Sequence, residues 1–110
     1  MNKLASKVAI VTGAAHGIGR GIAEAFALEG ADVAIADVAT AEEAQPVLDA
    51  IRQIGRKALF VRTDVADEQQ VRAMVDSVLE TFGHVDILIG DIWIPSSIML
   101  ALCPIRTNQS

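Results

Sequence analysis

Thr12-Gly13-Ala14-Ala15-His16-Gly17-Ile18-Gly19 sets three glycines into eight residues directly after a short apolar run. Glycine brings no side-chain chemistry; what it offers is bare main chain. If a strand precedes this loop and a helix follows it, the helix N-terminus is left uncovered, with free N–H groups and about half a unit of positive charge. Such an end attracts anions, and a diphosphate fits it. Gly13 then permits the tight turn, Gly17 lets the anion reach the backbone without an intervening Cβ, and Gly19 lets the helix pack closely on the strand. Asp37 follows Gly19 by 18 residues and offers a carboxylate that can accept hydrogen bonds from sugar hydroxyls. The plain alternatives are a flexible turn without a ligand at the glycines and a turn-forming aspartate at 37.

The elements that must position these groups are legible as three β-then-α units. Lys7 to Val11 is a continuously apolar strand, followed by a helical stripe of Ile18, Ile22, Ala25 and Phe26 that Gly30 closes. Val33 to Ala36 is the second strand. Ala44, Val47, Leu48, Ile51 and Ile54 form the next stripe, with Gly55 as its stop and Thr40 and Glu43 spaced as a capping box. Pro46 conflicts with so early a start, so the regular helix is expected to begin nearer Ala44. The third unit runs from Lys57-Ala-Leu-Phe-Val into the stripe Val71, Met74, Val75, Val78, Leu79 and Phe82, opened by Asp67 with Gln70 and closed by Gly83. Val85 to Ile89 supplies a fourth strand. This alternation predicts an α/β fold, a parallel sheet covered on both faces by right-handed crossovers, with Met74 and the phenylalanines in the core.

Composition narrows the function classes. The 110 residues are 52% hydrophobic and 21% charged with a net charge of −5, too apolar for disorder and too acidic for a nucleic-acid binder. No apolar run approaches the ~18 residues of a membrane span, and the N-terminus has no small-residue cleavage site, so a cytoplasmic protein with no membrane partner is expected. Cys103 is the only cysteine, and His16 and His84 lack neighbours at metal-ligand spacing, so no structural metal is expected.

If the first two strands pair, Asp37 emerges beside the glycine loop at the same sheet edge. A 2′-phosphate there would meet a negative charge at short range, and His16, mostly neutral near pH 7, provides no fixed cation to offset it. Of the two nicotinamide dinucleotides, NAD is therefore expected over NADP. Arg20, the nearest cation, follows Gly19 on the helix and should point away as a solvated charge.

The stretch Thr12 to Gly19 closely resembles the TGxxxGxG loop of the short-chain dehydrogenase/reductase family, a Rossmann family of NAD(P)-dependent oxidoreductases. Asp37 matches the acidic residue of NAD-preferring members, Asp64-Val65 resembles the aspartate-valine pair beside the adenine ring, and His16 stands where many NADP-preferring members carry Arg or Lys. The resemblance implies a partial Rossmann doubly wound sheet of about four strands and three helices over residues 1–89. It implies a cofactor site built from Thr12, Gly13, Ala15, His16, Gly17, Ile18, Gly19, Asp37, Val38, Asp64 and Val65.

Beyond Ile89 the resemblance ends. The family would continue into Asn-Asn-Ala-Gly, whereas this chain reads Gly90-Asp91-Ile92-Trp93-Ile94-Pro95. The family's serine, tyrosine and lysine catalysts are also missing: the chain has no tyrosine, and its last lysine is Lys57. Asp64, Asp91, Ser96 and Ser97 lack partners that would make them acid, base or nucleophile, so no catalytic residue is expected.

Residues 90–110 therefore form a divergent apolar tail, expected to be irregular and to derive from a changed reading frame or alternative exon. A fourth strand without a fifth leaves an open edge, and Ile98 to Cys103 is expected to pack against the sheet or a second chain, with insolubility as the alternative outcome. The function expected is a dinucleotide-binding portion that is inactive alone. The alternatives are an enzyme completed by a partner chain, or an interaction module that has lost nucleotide binding.

Overall fold

The computed structural model describes residues 3–90. Each short apolar run becomes a strand and each amphipathic stretch a helix, in the order β1 (Val8–Thr12), α1 (Gly17–Leu28), β2 (Asp32–Asp37), α2 (Ala41–Ile54), β3 (Ala58–Arg62), α3 (Glu68–Phe82) and β4 (Ile87–Ile89). The sheet is parallel throughout, in the spatial order β3-β2-β1-β4. Chain order reverses direction across β1, so the connection after β1 and the one after β3 leave to opposite faces, and a crevice opens at the carboxyl ends of the strands.

Strand alternation divides the core in two. Val11, Val33 and Ile35 face α1 and α2, meeting Ala23, Ala27, Val47, Leu48 and Ile51, while Phe26 and Phe60 pack at the margin. Val8, Ile10, Ala34 and Ala36 face the other way onto Val71, Met74, Val75 and Val78 of α3, with Phe82 at the margin. Met74 and the phenylalanines are thus packing residues, as their positions in the stripes predict. Central strand β1 is buried from Val8 to Val11, as a strand covered on both faces must be.

Several boundaries differ from expectation. β1 runs one residue further, because Thr12 still pairs with Ala36 of β2. β4 is shorter, starting at Ile87; the Asp86 side chain instead accepts from the Val8 N–H at 2.9 Å. The start of α2 near Ala44 is overturned. The helix begins at Ala41, because the Thr40 hydroxyl accepts from the Glu43 N–H and the Glu43 carboxylate accepts from the Thr40 N–H. Those two bonds hold the first turn, and Pro46 lies on the exposed face, where it forfeits only the bond to the Glu42 carbonyl. Gly30, Gly55 and Gly83 follow the three helices in left-handed backbone, as stops should. At the open side, β4 pairs only with β1 among the described residues; the tail expected to cover it lies outside them.

Candidate functional site at the carboxyl edge

Gly13 leaves β1 in left-handed backbone (φ +65°), its N–H donating to the Ala36 carbonyl at 3.0 Å, and Gly17 opens α1 at φ +60°. A Cβ built on either would meet no atom within 4 Å, so the loop is a cradle of bare main chain. Gly19 is tight for a different reason than expected. Its Cβ would collide with the Gly13 carbonyl and lie 2.8 Å from the Gly13 carbonyl carbon and 3.1 Å from Ala14 Cα. The helix therefore packs on the loop's own backbone, with the strand one step removed.

The three helix starts contrast. α2 is capped by the Thr40–Glu43 box and carries Glu42 and Glu43 in its first turn; α3 is capped by Asp67, which accepts from the Gln69 and Gln70 N–H groups, and carries Glu68. α1 has His16 at its N-cap position, no side-chain cap and no acid in its first turn. Among the described helices, it is the one whose positive end neither a side-chain cap nor a first-turn acid offsets.

Asp37 sits at the end of β2 beside this loop, half-buried. One carboxylate oxygen accepts from the Ala15 N–H at 3.0 Å and the other from the Ala39 N–H at 3.1 Å. The second bond is the local aspartate turn that a plain reading of the residue predicts; the first ties β2 to the glycine loop across 22 positions of sequence. A cleft of about 380 Å³ opens here, lined by Thr12, Gly13 and Asp37, then Val38, Asp64 and Val65, with Ala36, Thr63 and Gly90 closing it. The rest of the expected set flanks it: Ala15 is buried under the loop, His16 and Gly17 are exposed, Gly19 lies behind them, and Ile18 is 85% exposed at the start of α1.

Thr63 is fully buried and anchors the far wall, donating its N–H to the Asp37 carbonyl at 2.8 Å and its hydroxyl to the Val61 carbonyl at 3.0 Å. Asp64 is exposed; its carboxylate accepts from the Ala66 N–H and its own N–H donates to Gln70 Oε1. Gln70 thus braces the Asp64-Val65 turn as well as Asp67. Gly90 comes so close to Thr12 that a Cβ would strike that side chain, and the Thr12 hydroxyl donates to the Ile89 carbonyl at 3.4 Å. Asp91, Ser96 and Ser97 lie outside the described residues, among which no cluster of three or more metal-ligating side chains occurs.

Charged and ionisable neighbours surround the site. Arg20 pairs with Glu24 at 2.7 Å along the surface of α1, the solvated role its position predicts. His16 Nε2 lies 3.5 Å from Glu43 Oε2. Hydrogen bonds from the Thr40 backbone and hydroxyl, with His16 assisting, hold the Glu43 carboxyl below the ordinary glutamate range. Arg62 is the residue that sequence reasoning missed. It ends β3 in register with Asp37, and its Nε donates to the Val38 carbonyl at 3.1 Å. Only the strand register, which composition and periodicity do not supply, brings it there.

Comparison with known proteins agrees with this geometry. The sequence profile of the family described as short chain dehydrogenase matches residues 7–91. Cis-4-hydroxycyclohexanecarboxylate dehydrogenase of Sinomonas cyclohexanicum is 48% identical over 87 residues, covering 79% of this chain and 34% of that protein. The 7alpha-hydroxysteroid dehydrogenase of Escherichia coli K12 is 42% identical over 89 residues, covering 81% and 34%. Among solved structures, carveol dehydrogenase from Mycobacterium avium in complex with NAD superposes with a TM-score of 0.78 at 30% identity, covering 86% of this chain and 38% of that one. The chain spans about a third of the length of the curated relatives it matches.

Proposed function

Because this chain belongs to the short-chain dehydrogenase family, we propose that it is the NAD(H)-binding portion of an oxidoreductase. The observation that carries the reading is an uncapped, acid-free α1 terminus behind a glycine cradle open to solvent, on the same sheet edge as Asp37. With nothing within 4 Å of a Cβ built on Gly13 or Gly17, the cradle offers a diphosphate bare main chain. When bound, the nicotinamide ring gives or takes a hydride.

The chain's own residues hold and orient. The first-turn N–H groups of Gly17, Ile18 and Gly19 and the loop from Thr12 to His16 take the diphosphate. Asp37 has about four acceptor positions, of which Ala15 and Ala39 use two, leaving capacity for two ribose hydroxyls. Val38, Asp64 and Val65 take the adenine side of the cleft. A half-buried carboxylate at the ribose favours NAD over NADP, since a 2′-phosphate would place like charges together.

With no tyrosine in the chain and Lys57 at the opposite end of β3 from the cleft, no residue here is assigned to proton transfer. The reading therefore includes inactivity of the chain by itself, a coenzyme-binding region over residues 1–89, a distinct segment over 90–110, a cytoplasmic setting, and self-association through the β4 edge or the segment after it.

Titration of the purified chain with NADH and NADPH, with turnover assayed across alcohols and ketones, tests this. Saturable NADH binding tighter than NADPH binding, with no turnover, is expected. Absence of saturable NADH binding at millimolar coenzyme would reject the coenzyme reading and favour an interaction module; turnover would reject the assignment of inactivity.

A further inference from the structure

We propose that Arg62 is a specificity-determining residue for the coenzyme, a cation that partly offsets Asp37 and keeps the site permissive to a phosphate on the adenosine ribose. The proposal rests on the coenzyme reading above and concerns a position that reading does not use.

Asp37 and Arg62 are paired in register, the last residues of adjacent parallel strands. Strand alternation puts them on one face: Ile35 and Phe60, two residues earlier on each strand, both belong to the core beneath α1 and α2. Adjacent strands lie about 4.8 Å apart, so a carboxylate and a guanidinium leave the sheet side by side at the mouth of the cleft. They do not consume each other as an ion pair. Asp37 spends its oxygens on the Ala15 and Ala39 N–H groups, and Arg62 spends its Nε–H on the Val38 carbonyl. The other guanidinium N–H groups have no partner among the described residues.

A second hollow of about 340 Å³, lined by Val38, Arg62, Asp64 and Gln70, shares Val38 and Asp64 with the coenzyme cleft. The guanidinium thus lines the neighbouring hollow, across Val38 and Asp64 from the cleft, exposed, planar and able to take a phosphate through two parallel N–H bonds. Asp37 alone would exclude a 2′-phosphate strongly; with Arg62 beside it, and Asp64 on the shared wall, the repulsion facing the 2′ position is reduced but not removed, and discrimination depends on Asp37 and Arg62 together.

The test is Arg62→Gln, which removes the charge and keeps an N–H able to reach the Val38 carbonyl, beside Arg62→Lys, which keeps the charge. Dissociation constants for NADH and NADPH are measured by coenzyme fluorescence at low salt and at about 1 M salt, with circular dichroism confirming the fold. For Arg62→Gln the NADPH constant is expected to rise roughly five- to tenfold relative to the NADH constant at low salt, the size of one unit charge at about 6 Å in a wet site, with the effect shrinking in high salt. Arg62→Lys, which keeps the charge and loses the paired N–H bonds, is expected to shift the ratio less than Arg62→Gln does. An unchanged ratio in Arg62→Gln, or equal weakening of both coenzymes, overturns the assignment while leaving the coenzyme reading intact. Failure of the unaltered chain to bind NADH overturns both.

Discussion

Gly19 and Gly21 lie two residues apart on α1, yet alanine at the two positions should act with opposite sign. A Cβ at Gly21 meets nothing within 4 Å, whereas one at Gly19 overlaps the main chain of Gly13 and Ala14. Replacing a helical glycine by alanine stabilises by about 0.5–1 kcal/mol through the restricted unfolded chain, and that gain applies to both. Gly19→Ala adds a clash with backbone that cannot swing aside, for which about 1–3 kcal/mol is the ordinary range of an overpacked site. Because the helix term cancels, the gap between the variants reads the steric term directly. At ~4–8 °C per kcal/mol for a domain of this size, melting temperatures should differ by roughly 5–20 °C, Gly21→Ala above the parent chain. Thermal unfolding followed by far-ultraviolet circular dichroism measures this. Equal midpoints for the two variants would refute the close approach of α1 to the loop.

Asp37→Ala should cost stability as well as binding: it strips the buried Ala15 N–H of its acceptor, worth about 1–3 kcal/mol, and should shift the NADH:NADPH affinity ratio toward NADPH. Urea unfolding and coenzyme titration check the two separately, and no change in either would contradict the placement of this carboxylate. Glu43 supplies a pH dependence. Its folded pKa lies below its unfolded value, so its contribution is present above the ordinary value of 4.5 and is lost as pH falls through the lowered folded pKa. Glu43→Gln cannot titrate, so its urea midpoint should fall less steeply than that of the parent chain over this acid range; parallel curves would contradict the bonding of Glu43 to Thr40.

Fold and site were legible to different depths. Periodicity located the four strands and three helices of the described residues, and the stops at Gly30, Gly55 and Gly83 needed only the rule that helices end in left-handed backbone. The chemistry-bearing loop was legible because glycine spacing is a local property. What required three dimensions was pairing. Strand register brings Arg62 to Asp37, the turn of α2 carries Glu43 to His16, and the inclination of α1 decides that Gly19 meets Gly13 instead of the strand. The start of α2 was misjudged because proline was weighed above a capping box, yet two first-turn hydrogen bonds outweigh one lost carbonyl partner on a wet face.

The position of β1 has a dynamic consequence. Bonded to β2 on one side and β4 on the other, with Val8 to Val11 no more than 2% exposed, it has no route to solvent short of opening the whole sheet. Its amide protons should be among the slowest to exchange with deuterium, whereas the first-turn N–H groups of Gly17, Ile18 and Gly19, which no side chain caps, should exchange fast until something occupies them. Firmly held backbone therefore continues past Thr12 through Gly13 and Ala15, whose N–H groups are tied to β2, and yields only where α1 begins, so a guest settling there would rest beside the most enclosed strand of the described sheet.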